Sequence, residues 1–340
     1  MIRWTLSTAL LGTLLPMTAI AQTSVEHPVY GPRLEGFEYP HPVAMRMVRS
    51  QGQALEMAYM DVAATGEANG RTAVLLHGKN FCGATWERTI AVLTEAGYRV
   101  IAPDQIGFCK SSKPEGYQFS FPDLATRTHA LVAELGIEKP VVVGHSMGGM
   151  LAARYTLMFP DDVGQLVLVN PIGLEDWQAK GVPYQPLDDA YAGELKTSFD
   201  SIKAYQQRIY YNGDWKPEYD RWVEMSAGMY AGDGREIVAR TQAQTSDMVF
   251  TQPVVHEFGR IAVPTVLMIG GLDRTAPGGN RAAEEIAETL GQYPTLGRQA
   301  AEAIPEATLI EFPELGHSPQ VEAPDVFHAK LLEVLGFREK

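Results

Sequence analysis

The chain has 340 residues, 45% of them hydrophobic, a formal net charge of −13 and two cysteines. The acidic balance argues against a polyanion-binding surface, so nucleic acid is not an expected partner. Two cysteines without a supporting histidine cluster exclude a zinc site, and the length suits one large α/β domain carrying an insertion.

In chain order, residues 1–21 read as a secretory signal peptide. A single charge, Arg3, precedes an apolar run from Leu6 to Ile20 that ends in Ala19-Ile20-Ala21. The run is short for a membrane anchor and Pro16 interrupts it. Cleavage after Ala21 is expected, giving an exported protein, periplasmic or secreted, with no membrane span. Only Arg3 leaves with the leader, so the net charge shifts from −13 to −14.

Val43 to Val48 and Ala54 to Val62 look like an antiparallel strand pair at a sheet edge. From Arg71 onward, apolar β-branched runs alternate with helical patterns. Strands are expected at Thr72–Leu76, Tyr98–Ala102, Pro140–Val143 and Gln165–Val169, and helices at Ala84–Ala96, Phe121–Leu135 and Met147–Phe159. Strands that are apolar throughout, separated by helices, imply a mostly parallel sheet covered on both faces. The rhythm breaks between Ile172 and about Phe258, a polar and aromatic stretch of helical character. It resumes with a strand at Pro264–Ile269, a helical region from Asn280 to about Ala303, a strand at Ala307–Phe312 and a helix at Pro324–Leu335. The expected organisation is a core from 22 to 171, a helical cap from 172 to 258, and the rest of the core from 259 to 340.

Gly144-His145-Ser146-Met147-Gly148-Gly149 falls where a strand meets a helix. A serine on that sharp turn needs small neighbours two before and two after it, and the turn lifts its hydroxyl above the sheet at the positive end of the helix. Ser146 is the candidate nucleophile. A serine needs a base and the base an orienting acid. His317, in the loop Glu314-Leu315-Gly316-His317-Ser318 after the last strand, is the histidine placed to swing onto Ser146. Asp273, in Gly270-Gly271-Leu272-Asp273, lies in the loop after the intervening strand, and Asn170-Pro171 in the rival loop cannot ionise. Asp104 reads as a turn former. Two backbone N–H groups must hold the oxyanion: Met147 directly after the nucleophile, and Lys79 in His77-Gly78-Lys79-Asn80.

These residues together resemble the α/β-hydrolase superfamily, in the branch of cap-bearing serine esterases, cofactor-free haloperoxidase-like enzymes and carbon–carbon bond hydrolases. The resemblance runs from about Ala73 to Leu335. It rests on His77-Gly78, Pro103-Asp104-Gln105-Ile106-Gly107, the Ser146 motif, Gly271-Leu272-Asp273 and Gly316-His317, in that order. Lys79 and Cys109 stand where relatives usually carry other residues. In the strand order that the resemblance implies, Cys82 and Cys109 leave neighbouring strands at the same edge. Either a Cys82–Cys109 disulfide or two free thiols fits that placement, and export favours the bridge.

The implied activity is a serine hydrolase, a carboxylesterase acting on a small or medium, partly apolar ester through an acyl-enzyme, with no metal or organic cofactor. Carbon–carbon bond hydrolysis and perhydrolase or haloperoxidase chemistry would use the same triad. A ligand-binding receptor is the non-enzyme alternative. Most of the cap's aromatic rings are expected to pack the cap onto the core, with some lining the pocket.

Overall fold

In the computed structural model, which describes residues 27–336 together with Met1, Ile2 and Trp4, the apolar runs become eight strands of one sheet. The signal peptide expected over 1–21 otherwise lies outside the described residues. The strands are β1 (Val43–Ser50), β2 (Gln53–Val62), β3 (Thr72–Leu76), β4 (Arg99–Pro103), β5 (Val141–His145), β6 (Gln165–Val169), β7 (Thr265–Gly270) and β8 (Thr308–Phe312). Their order is β1-β2-β4-β3-β5-β6-β7-β8. β1 and β2 pair antiparallel, as does β2 with β4, and every pairing from β4 to β8 is parallel.

Successive side chains of a strand face opposite ways, so each interior strand feeds two cores. Val74 and Leu76 of β3 join Leu124, Leu131 and Leu151 on one face. Ala73 and Leu75 join Trp86, Ile90, Leu93, Phe327 and Leu331 on the other. The first face is covered by α2 (Phe121–Glu134) and α3 (Met147–Met158), the second by α1 (Glu87–Glu95) and the C-terminal α11 (Pro324–Val334).

Between β6 and β7 lie the cap helices α4 (Leu187–Glu194), α5 (Phe199–Ile209), α6 (Asp220–Ala231) and α7 (Arg235–Thr251). Trp177, Tyr211, Tyr219 and Trp222 are buried there, and Tyr211 stacks on Tyr219 with ring centroids 4.1 Å apart. The helical region expected over 280–303 is broken into α8 (Glu284–Ala287) and α9 (Tyr293–Ala303), followed later by the short α10 (Pro319–Glu322). Gly291 takes φ +63° between α8 and α9, and Pro294 opens α9, where its missing N–H costs nothing.

Residues 27–42, which show no periodicity in the sequence, cross from cap to core. Tyr30 N donates to Gly228 O of α6 at 2.9 Å, while the Arg33 guanidinium binds Glu56 of β2 at 2.6 Å and Lys110 O at 3.1 Å. Among the described residues no helix is long and apolar enough to cross a membrane.

Candidate active site

Ser146 connects β5 to α3 with φ +56° and ψ −121°, a conformation that a residue with a side chain holds only when its surroundings over-determine it. The surroundings do so through close backbone approach. A Cβ on Gly144 would collide with the carbonyl of Gly148, and one on Gly148 with the carbonyl of Leu76. The strand, the turn and the helix therefore fit together because those two positions carry no side chain. Ser146 itself is 3% exposed.

His317 and Asp273 are both buried, with Nδ1 of the imidazole 2.6 Å from Oδ2 of the carboxylate. A carboxylate can only accept, so Nδ1 carries the proton and Nε2 presents a lone pair. That Nε2 is buried and has no hydrogen-bond partner among the described residues. His145, next to Ser146 in the chain, has its ring 5.0 Å from that of His317. His317 therefore lies close to the turn that carries Ser146, with its Nε2 uncommitted.

Three residues outside the expected set hold this pair. Asn170, at the end of β6, donates its Nδ2–H to Asp273 Oδ2 at 2.9 Å and accepts from Gly270 N at 2.9 Å. Thr275 N donates to Asp273 Oδ1 at 2.8 Å, and Thr275 Oγ1 lies 3.1 Å from His317 Nδ1. Glu322 accepts from Gly316 N at 2.8 Å and from Ser318 N at 3.0 Å, bracketing His317. Burial pushes the Glu322 carboxyl above its ordinary range, with those two N–H groups pulling the other way. The signal for Asn170 was present in the sequence: it occupies the strand end where a carboxylate would have rivalled Asp273. Asp104 sits elsewhere, accepting from Tyr39 Oη, Gly83 N and Lys110 N at a loop that these bonds close.

The loop after β3, expected to supply the oxyanion donor, reaches Ser146 because Gly78 is small; a Cβ there would lie 3.0 Å from Ser146 Cβ. His77 fixes the loop. Its Nδ1–H donates to Gly78 O at 2.9 Å and its Nε2 accepts from Gln105 N at 3.1 Å, a neutral tautomer that burial favours by lowering its pKa. His145 is likewise held neutral by burial first and by the nearby His317 second, and its Nε2–H donates to His317 O at 2.9 Å. Met147 is the first residue of α3, where backbone N–H groups have no partner within the helix. No backbone carbonyl accepts the Lys79 N–H among the described residues. Cys82 and Cys109 form a disulfide, Cα atoms 5.9 Å apart, joining the loop after β3 to the loop after β4.

The cap closes over this arrangement. The Tyr210 ring stacks on His317 with centroids 4.4 Å apart, its carbonyl accepts from His317 N at 2.9 Å, and its hydroxyl accepts from Asn80 Nδ2 at 2.8 Å. Between cap and core lies a cavity of about 700 Å³ whose wall includes Lys79, Phe81, Phe108, Glu194, Tyr230 and Gln242. Ser146 and His317 are not on that wall. Tyr205 is, and it packs edge-on to Tyr210 at 5.3 Å, so an unbroken run of rings leads from the cavity to the imidazole.

The family model for the alpha/beta hydrolase fold matches residues 73–324. The crystal structure of a probable hydrolytic enzyme from Pseudomonas aeruginosa PAO1 superposes with a TM-score of 0.90 at 60% identity, covering 91% of this chain and 99% of that one. Lipase 1 of Psychrobacter immobilis is 28% identical over 274 residues, 78% of this chain and 77% of the lipase. The AB hydrolase superfamily protein YfhM of Bacillus subtilis (strain 168) is 38% identical over a shorter stretch of 112 residues, 33% of this chain and 39% of that protein. By the extent of these matches, the chain belongs to the α/β-hydrolase fold family.

Proposed function

We propose that this chain is an exported serine carboxylesterase that cleaves a small or medium ester through an acyl-enzyme on Ser146. The observation that carries the reading is the buried Asp273–His317 pair, whose Nε2 is uncommitted beside a strained serine turn. In the first half-reaction His317 Nε2 takes the Ser146 proton as Oγ attacks the carbonyl carbon. The Lys79 and Met147 amides hold the oxyanion, and Asp273 supports the imidazolium. The imidazolium then protonates the departing alcohol, and a water molecule repeats the sequence on the acyl-enzyme to release the acid. Every proton moves between Ser146, His317, water and substrate, so the scheme needs no metal or organic cofactor. The lipase among the relatives supports an ester bond as the target. Export rests on the leader-like composition of residues 1–21.

The test is turnover of p-nitrophenyl acetate together with covalent labelling by a fluorophosphonate. Wild-type protein should do both, and Ser146→Ala should do neither while keeping its thermal unfolding midpoint. A Ser146→Ala protein that hydrolyses the ester at the wild-type rate would remove the assignment. Labelling without turnover of any ester would redirect the search to other acyl or carbon–carbon bonds.

A further inference from the structure

The residue that offers its amide to the oxyanion also sends its side chain into the cap cavity. Lys79 Nζ donates to Gln242 Oε1 of α7 at 2.7 Å and lies 3.7 Å from Glu194 Oε1 at the end of α4. Glu194 is itself held, its other oxygen accepting from Tyr230 Oη at 2.6 Å and from Thr197 Oγ1 at 3.4 Å. An ammonium has three N–H groups. Gln242 and Glu194 account for two, and the Lys79 side chain keeps 17% of its exposure at the cavity wall. Burial lowers the Lys79 pKa, and the Glu194 carboxylate opposes that shift.

We propose that Lys79 is a specificity-determining residue, whose third N–H binds a neutral oxygen on the substrate several bonds from the scissile carbonyl. This rests on the ester-hydrolase reading above. Reach sets the spacing: five bonds of about 1.5 Å carry Nζ roughly 6 Å from its own Cα, so one residue can hold the oxyanion and a second oxygen of the same ligand. Charge sets the class. Glu194 already balances the ammonium, and a substrate carboxylate drawn to Nζ would face the Glu194 carboxylate. Thr197, Ser201 and Ser226 add neutral hydroxyls to the same wall. A hydroxyl, keto or ether oxygen fits where an anion does not.

The rival account is that Lys79, Glu194 and Gln242 merely clamp cap to core. The experiment compares kcat/KM for three p-nitrophenyl esters: hexanoate, the same acyl chain with a terminal hydroxyl, and the same chain with a terminal carboxylate. Wild-type protein should favour the hydroxyl ester over hexanoate by about 10–100-fold, the range of a charge-assisted hydrogen bond. Lys79→Met should collapse that ratio towards one, Lys79→Arg should restore part of it, and Gln242→Leu should lower it several-fold. Should Lys79→Met not fold, Gln242→Leu carries the same test. Equal loss on hexanoate and on the hydroxyl ester would show a clamp and overturn the proposal. Collapse confined to the carboxylate ester would overturn it too, by identifying an anion site. No wild-type turnover of hexanoate would instead remove the ester reading beneath it, a failure distinguishable from an unchanged ratio.

Discussion

The two walls of the site are held in different ways. On the core wall, the side chains of Asp273, His317, Asn170 and Glu322, with the Thr275 N–H and hydroxyl, bond to one another and to the loops after β6, β7 and β8. On the cap wall, Tyr210 and Gln242 bond across the gap, to His317 N, Asn80 and Lys79, and Glu194, held within the cap by Tyr230 and Thr197, lies 3.7 Å from Lys79 Nζ. A group fixed by its own body keeps its geometry when the other body shifts. On the proposed reading, the chemistry therefore belongs to the core, and the cap decides what reaches it. Core substitutions should lower turnover for every ester, whereas cap substitutions should re-rank esters.

The largest effect expected after loss of the nucleophile is at Asp273. Asp273→Asn keeps the shape but presents an amide to His317, which stabilises the wrong tautomer and withdraws support from the imidazolium. Turnover of p-nitrophenyl acetate should fall by about 10³–10⁴, the loss such a change causes in serine proteases. The decrease should be the same for long and short acyl chains. A loss below about tenfold would mean that the core network does not set the base, and the contrast between the walls would collapse.

Next in size is the Cys82–Cys109 bridge, which joins two core loops while facing the cavity. The half-cystines are 27 positions apart, and the chain-entropy relation gives about 3–4 kcal/mol for a loop of that length. Cys82→Ala/Cys109→Ala should unfold at correspondingly lower denaturant concentration, with a steeper denaturant slope because the unfolded chain without the cross-link is more expanded. Mass spectrometry of the unreduced wild type should find no alkylatable thiol. Two free thiols would leave the oxyanion loop without its covalent tether and make that part of the core wall as movable as the cap.

How much of this was legible follows from the same contrast. Ser146, His317 and Asp273 could be singled out as candidates because each signal is local: a sharp turn with small neighbours, and loops after apolar strands. The alternating strands were readable for the same reason, since period-two burial and full enclosure are properties of single segments. Asn170 was read as unable to ionise, which was correct, but its role needs the register of β6 against β7, a non-local fact. Glu322 lies five residues beyond His317, and nothing in that spacing indicates that its carboxylate turns back onto the backbone. Residues 27–42 carry no periodicity at all, so their path from α6 to β2 could not be read. The cap aromatics were visible as a group, yet which rings pack and which face the cavity depends on how α4–α7 settle on the core.

Asn170 offers a finer measure of the core wall as a positioning residue. Asn170→Ala removes one donor to Asp273 and leaves Gly270 N–H buried without its acceptor. The unsatisfied amide should cost about 1–3 kcal/mol of stability. Turnover should fall by roughly tenfold, the equivalent of about 1.4 kcal/mol, and equally for all esters. A variant that loses stability but no turnover would show that Thr275 N alone suffices to aim the carboxylate.

The smallest expected effect tests the cap wall at the point where it comes nearest the chemistry. Tyr210→Phe keeps the ring over His317 and the carbonyl that accepts His317 N, and deletes only the hydroxyl that accepts from Asn80. That bond joins the cap to the oxyanion loop, so its loss should free the Asn80 side chain without moving Asp273 or His317. About 0.5–1.5 kcal/mol is at stake, equivalent to a two- to tenfold change in kcat/KM. Because the bond lies on the cap side, the change should differ between short and long acyl chains. Steady-state kinetics on an acetate-to-octanoate series of p-nitrophenyl esters reads this directly. A uniform loss of a hundredfold or more would place the Tyr210 hydroxyl among the groups that stabilise the transition state. Part of the chemistry would then sit on the cap, and the division between the walls would have to be redrawn through Asn80.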